Sequence, residues 1–143
     1  TIWYTGDENF VKKLFVKLNK RFLKSVEIQN ELLKWNRNTS VIFLGKKFCL
    51  CFTDFSRGYP IFFHELKNNL IISNNSNSLN IKLSKISSKS LEIAKLSGYV
   101  LGYNTLHENI KIMKPGEFFY SYKNKNILKS YFIYHRSLPK KKK

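Results

Sequence analysis

Reactive side chains are few in this chain, and most of them stand alone. Cys49 and Cys51 lie two apart in the apolar run of residues 48–52, so in a strand both thiols leave the same face. A zinc site would need further thiols or imidazoles at ligand spacing. His64, His107 and His135 are scattered and supply none, so no metal site and no cofactor are expected. The two cysteines read as buried, reduced structural residues. Glu27 and Glu31 are one helical turn apart and read as part of a solvated helix face. Asp54 and Arg57, three apart across a turn, are spaced to pair and tie a sheet corner together. Tyr120, Tyr122, Tyr131 and Tyr134 alternate with Lys123, Lys125 and Lys129 over a hairpin. Single-strand-binding surfaces place aromatic platforms beside lysines in this way. Cross-strand aromatic pairing in a core is the commoner use of such residues.

The charge balance adds to the second of those readings. Twenty-six basic residues against nine acidic ones give a net charge of +17. Of the 26, only four are arginines, the residue that bidentate phosphate and base recognition favours. Asn occurs 15 times, Ile 13 times and Ala once, a bias that A/T-rich codons produce without selection for a ligand. A lysine-rich surface still attracts polyanions non-specifically, and a basic nucleic-acid or polyanion-binding module is therefore one functional expectation.

These residues need a scaffold, and 143 residues can bury one core. No apolar run approaches the roughly 18 residues of a membrane span, and residues 1–10 do not read as a secretory signal. No membrane association is expected, and with two reduced cysteines the expected location is the cytoplasm. Residues 1–5 read as a short strand. From Glu8 the period changes, and Phe10, Val11, Leu14, Phe15, Leu18 and Phe22 recur at helical spacing. A second helix is expected over residues 26–35, broken at 36–38. The middle of the chain reads as two hairpins, with strands at 41–44, 48–54, 61–64 and 70–73 and turns at 45–47 and 67–69. A polar stretch, interrupted by Ile81, Leu83 and Ile86, precedes a short helix. Ser88 is its expected N-cap and Gly98 its stop. Strands at 117–122 and 127–134, joined through 123–126, complete an α+β chain built on antiparallel hairpins.

Two segments carry a family pattern. The first is Asp54-Phe55-Ser56-Arg57-Gly58-Tyr59-Pro60-Ile61-Phe62-Phe63, followed by Leu70-Ile71-Ile72-Ser73. The second is Gly102, Thr105, Ile110, Met113 and Gly116, at offsets of three, eight, eleven and fourteen, with Tyr131, Tyr134 and His135 behind it. Together they resemble the N-terminal glutaminase-like domain of asparagine synthase-related proteins, the class II glutamine amidotransferases. The resemblance covers residues 41–135 and implies part of an αββα sandwich of two antiparallel sheets, the N-terminal-nucleophile fold. It implies a single domain over residues 1–138, with a basic tail at 139–143. Its motif residues are structural: Asp54, Arg57, Gly58 and Pro60 at one corner, Gly102, Thr105 and Gly116 at the next. Gly102 and Gly116 suit positive φ or close packing, Thr105 suits the cap of a short helix through Leu106 and Ile110, and Pro60 suits a position needing no N–H.

An active member of that family opens on a cysteine whose thiolate attacks the glutamine amide, with its own α-amino group as base. This sequence has Thr1 there, a weak catalytic candidate because threonine is the nucleophile in other N-terminal-nucleophile hydrolases. Thr5-Gly6-Asp7-Glu8 is similar to the family's glutamine-holding segment but is one residue short, and it reads equally as a strand end and an acidic first helical turn. The Ser-Gly-Gly-x-Asp-Ser signature of the ATP-using synthetase domain is absent. The resemblance thus implies a degenerate glutaminase-like domain without activity of its own. Its implied partner is an asparagine synthase-type synthetase domain or subunit.

Overall fold

The computed structural model describes residues 1–34, 38–66, 69–79, 85–123 and 125–133. Trp35, the helix break expected at 36–37, the turn at 67–68, Ile81, Leu83, Tyr134, His135 and the basic tail lie outside the described residues.

The chain folds as an α+β structure. In order its elements are β1 (Ile2–Tyr4), α1 (Glu8–Lys20), α2 (Ser25–Leu33), β2 (Val41–Leu44), β3 (Phe48–Phe52), β4 (Phe62–Leu66), β5 (Asn69–Ser73), a 3-10 turn (Ser76–Ser78), α3 (Ser88–Ser97), β6 (Lys111–Ile112), β7 (Glu117–Tyr122) and β8 (Lys125–Ser130). Two antiparallel sheets result: five strands in the order β1-β2-β3-β7-β8 and three in the order β5-β4-β6.

Alternation along the strands decides what each face of the larger sheet meets. Val41, Phe43, Phe48, Leu50, Phe52, Phe118 and Tyr120 point to one side and are buried against Val11, Leu14 and Leu18 of α1 and Ile28 and Leu32 of α2. Phe15 lays its ring 5.2 Å from Phe43 and 6.2 Å from Phe48, and Phe10 meets Phe52 edge-on at 6.4 Å. The intervening residues Ile42, Cys49, Cys51 and Phe119 point the other way. They pack with Trp3, Ile61, Met113, and Phe63 and Ile72 of the smaller sheet. A helix layer therefore covers one face of the five-stranded sheet, and the three-stranded sheet shares an apolar cluster with the opposite face.

Local chemistry sets the ends of the helices. The Asp7 side chain accepts from the Phe10 amide at 3.0 Å, capping α1. Glu27 accepts from the Lys24 amide at 2.8 Å at the start of α2. Lys17 of α1 pairs with Glu31 of α2 at 2.7 Å, and Gln29 donates to the Ser130 carbonyl at 2.9 Å, linking α2 to β8. The cap of α3 is Ser87 rather than Ser88. Its side chain accepts from Ser90, the one residue of α3 that is buried. Gly98 ends that helix at φ +78, donating to the Ala94 carbonyl at 2.8 Å, the left-handed stop expected of it. The last hairpin turns earlier than expected, at residues 123–124, and β8 pairs from Lys125.

Candidate functional site

The family-like residues converge on one corner, where β3 runs into the turn before β4 and meets the turn before β7. Asp54 is buried, and one carboxylate oxygen, Oδ1, accepts three bonds: from the Ser56 amide (2.8 Å), the Ser56 hydroxyl (2.9 Å) and the Gly58 amide (3.1 Å). The other oxygen is buried without a hydrogen-bond partner among the described residues. Its backbone carbonyl accepts from the Gly116 amide at 2.8 Å, and the Gly116 carbonyl in turn accepts from Tyr131 (2.8 Å) and Phe132 (3.1 Å). The Tyr131 hydroxyl closes the loop by donating to the Thr53 carbonyl at 2.6 Å. One carboxylate thus organises its own turn through side-chain bonds and the neighbouring turn through its backbone.

This geometry corrects two expectations. Asp54 does not pair with Arg57: among the described residues no ion pair joins them, and the Arg57 amide donates to the Asp54 carbonyl at 3.3 Å instead. Turn amides sit closer to the carboxylate than a side chain directed out of a φ +54 backbone can reach. Nor does Thr105 cap a helix. Its hydroxyl accepts from the His107 amide at 3.1 Å and lies within bonding distance of the Ile110 (2.8 Å) and His107 (3.1 Å) carbonyls, stabilising an irregular loop. Residues 104–110 there make only isolated bridges, Ile86 with His107 and Asn104 with Lys111. Gly102 and Gly116 adopt φ +69 and +65, and Gly116 also touches Phe132 closely. Gly58 supplies an amide to Asp54, and Pro60 precedes β4 without demanding an N–H.

A second polar group sits beside this corner and carried no signal at the sequence level. Glu117, buried at the start of β7, accepts from the Tyr103 hydroxyl in a short hydrogen bond and from the Lys114 amide at 3.1 Å. The Lys114 ammonium lies 4.0 Å over the Tyr103 ring. Burial first, and then the bond to the Glu117 carboxylate, pushes the Tyr103 pKa up to about 12. Burial, reinforced by the negative charge of Asp54, raises that of Tyr131 as well. Both phenols are favoured neutral in the folded chain. Their stabilising contribution is complete below the ordinary tyrosine pKa near 10 and is lost as pH rises through the folded values. Alkaline titration of tyrosinate absorbance is expected to leave Tyr103 protonated until about pH 12, with Tyr103→Phe removing that late step. A Tyr103 that ionises with the exposed tyrosines contradicts the buried bond to Glu117.

The reactive candidates do not join this corner into a catalytic set. Thr1 lies at the start of β1, an edge strand, and its exposed amino group donates to the Leu44 carbonyl at 2.8 Å. Cys49 and Cys51 are free thiols on one strand face, as their spacing requires, with sulfurs 3.8 Å apart between the sheets. The hydrogen bond between them lowers the Cys49 pKa and raises that of the fully buried Cys51. Among the described residues no group of three or more His, Cys, Asp or Glu is placed to hold a metal. No helix is long and apolar enough to cross a membrane, among the same residues. The tyrosine ladder is mostly core: Tyr120 and Tyr131 are buried, and only Tyr122 reaches the rim. No protein-family model matches the chain, and no curated protein is significantly similar to it.

Proposed function

We propose that this chain is a catalytically degenerate glutaminase-like domain that acts as scaffold or accessory to an asparagine synthase-type, ATP-using partner. The observation that carries the reading is the corner at Asp54. The residues at the family's motif spacing are brought together there as turn-builders, joining a five-stranded antiparallel sheet, covered by helices, to the hairpins that follow. Such residues shape a shell and perform no proton or acyl transfer. The partner is supported by the apolar surface left around α3. Leu96 is 89% exposed, and Tyr99, Leu101 and Ile86 are each more than half exposed, an area that a neighbouring domain would cover.

The test is glutamine hydrolysis. Purified protein incubated with glutamine is expected to release no glutamate above background. Robust turnover, abolished by acylating the Thr1 amino group, overturns the degenerate reading in favour of a threonine-nucleophile hydrolase. The partner class is tested separately by co-purification with a synthetase carrying Ser-Gly-Gly-x-Asp-Ser.

A further inference from the structure

The chain leaving α1, the β2–β3 turn and the end of β7 meet at one edge of the larger sheet. They enclose an open cleft of about 360 Å3 whose lining includes Lys20, Arg21, Phe22, Lys46, Lys47 and Tyr122. Its charge is one-sided. None of the nine acidic residues of the chain lines it. Arg21 is braced from outside by Glu27 at 2.8 Å, while Lys20, Lys46 and Lys47 are exposed and form no ion pair among the described residues. Lys123 adds a fifth cation, 5.7 Å from the centre of the Tyr122 ring.

An aromatic ring stands among these cations. Phe22 is 46% exposed. It is positioned by Tyr122, with ring centres 4.8 Å apart, and by Tyr120 at 6.0 Å. A half-open ring in a fixed place, ringed by ammonium groups, offers a π-face and phosphate neutralisation together. That pairing discriminates among polyanions. A duplex keeps its base faces stacked inside, and a polyphosphate or sulfated glycan has no aromatic face, so neither uses the ring.

We propose that this cleft binds single-stranded nucleic acid, with one unstacked base on Phe22 and the flanking phosphates on Lys20, Arg21, Lys46 and Lys47. The site differs from the tyrosine hairpin to which the sequence points. Of that hairpin it keeps Tyr122 and, at its rim, Lys123. Nothing in it depends on the glutaminase-like reading, which stands or falls on glutamine turnover and co-purification.

The experiment is fluorescence anisotropy with a labelled oligouridine of about a dozen nucleotides. Binding is expected at about 50 mM salt and falls steeply by about 200 mM, as counterion release requires. Phe22→Ala is expected to weaken it about tenfold, the scale of one lost base stack. Joint Lys46→Gln and Lys47→Gln replacement lowers the salt slope by about two. Phe22→Trp keeps the platform and gives a fluorescence signal quenched by the oligonucleotide, a readout that holds even if Phe22→Ala unfolds the chain. The proposal is overturned by absence of binding at the lower salt, or by a duplex or polyphosphate of equal charge binding as tightly. An affinity unmoved by Phe22→Ala, or an unquenched Phe22→Trp, overturns it equally.

Discussion

Gly116→Ala is expected to lower the stability of this protein by about 3 kcal/mol, on the order of 10 °C in melting temperature. Two independent costs meet at this residue. Its φ of +65 is left-handed, which costs an L-residue about 1–2 kcal/mol. An added Cβ would also lie 2.8 Å from the Phe132 carbonyl oxygen and 3.0 Å from its Cβ. That oxygen is backbone, so relief requires moving the chain at Tyr131 and Phe132, both of which donate to the Gly116 carbonyl. Gly102 isolates the first cost. Its φ is +69, but nothing lies within 4 Å of the position a Cβ would take. Gly102→Ala is expected to cost only about 1 kcal/mol. Denaturant midpoints of the two variants provide the comparison. Equal losses would mean that the close approach of Phe132 contributes nothing.

Asp54→Ala is expected to be of similar size, about 3 kcal/mol, because it strands donors that the turn has withdrawn from water. Three groups lose their acceptor, the Ser56 amide and hydroxyl and the Gly58 amide, and the Gly116 strap from the same residue loosens with them. Asp54→Asn is expected to cost roughly half as much, since an amide oxygen in the Oδ1 position still accepts all three. Arg57→Ala tests the alternative explanation of the same corner. With no ion pair to break, it should change stability by no more than about 0.5 kcal/mol. Urea unfolding of the three variants separates the cases. A loss at Arg57 matching that at Asp54 would restore the salt bridge that the spacing implied.

The elements were legible in the sequence wherever one local rule dominated. Helical spacing from Phe10 to Leu18 gave α1, and Asp7 before it gave the cap. The apolar runs at 41–44 and 48–52, with Gly45 between them, gave β2 and β3, and strict alternation put both cysteines on one face. The positive φ at Gly98, Gly102 and Gly116 follows from residue type, because glycine is the residue for which that conformation carries no penalty. Boundaries slipped by a residue or two where several polar side chains could cap or turn, as at Ser87 and Ser88 or in the last hairpin. Thr105 was misplaced because a hydroxyl that satisfies loop amides and carbonyls leaves the same trace in a sequence as one that caps a helix.

What the sequence by itself determined was therefore local: the period of each segment, the face each side chain takes, and the turns that glycine permits. Tertiary structure alone decided which distant segments became neighbours. The pairing of β3 with β7 brings Phe48 opposite Tyr122, and that pairing is what sets Phe22 beside Tyr122 and the lysines of the β2–β3 turn around both. It also decided that Glu117 receives Tyr103, and that Asp54 serves turn amides instead of Arg57. The reason is physical. Periodicity is encoded within a few residues, whereas a contact across many residues is chosen by the burial of a whole sheet face, to which each side chain contributes only a small share.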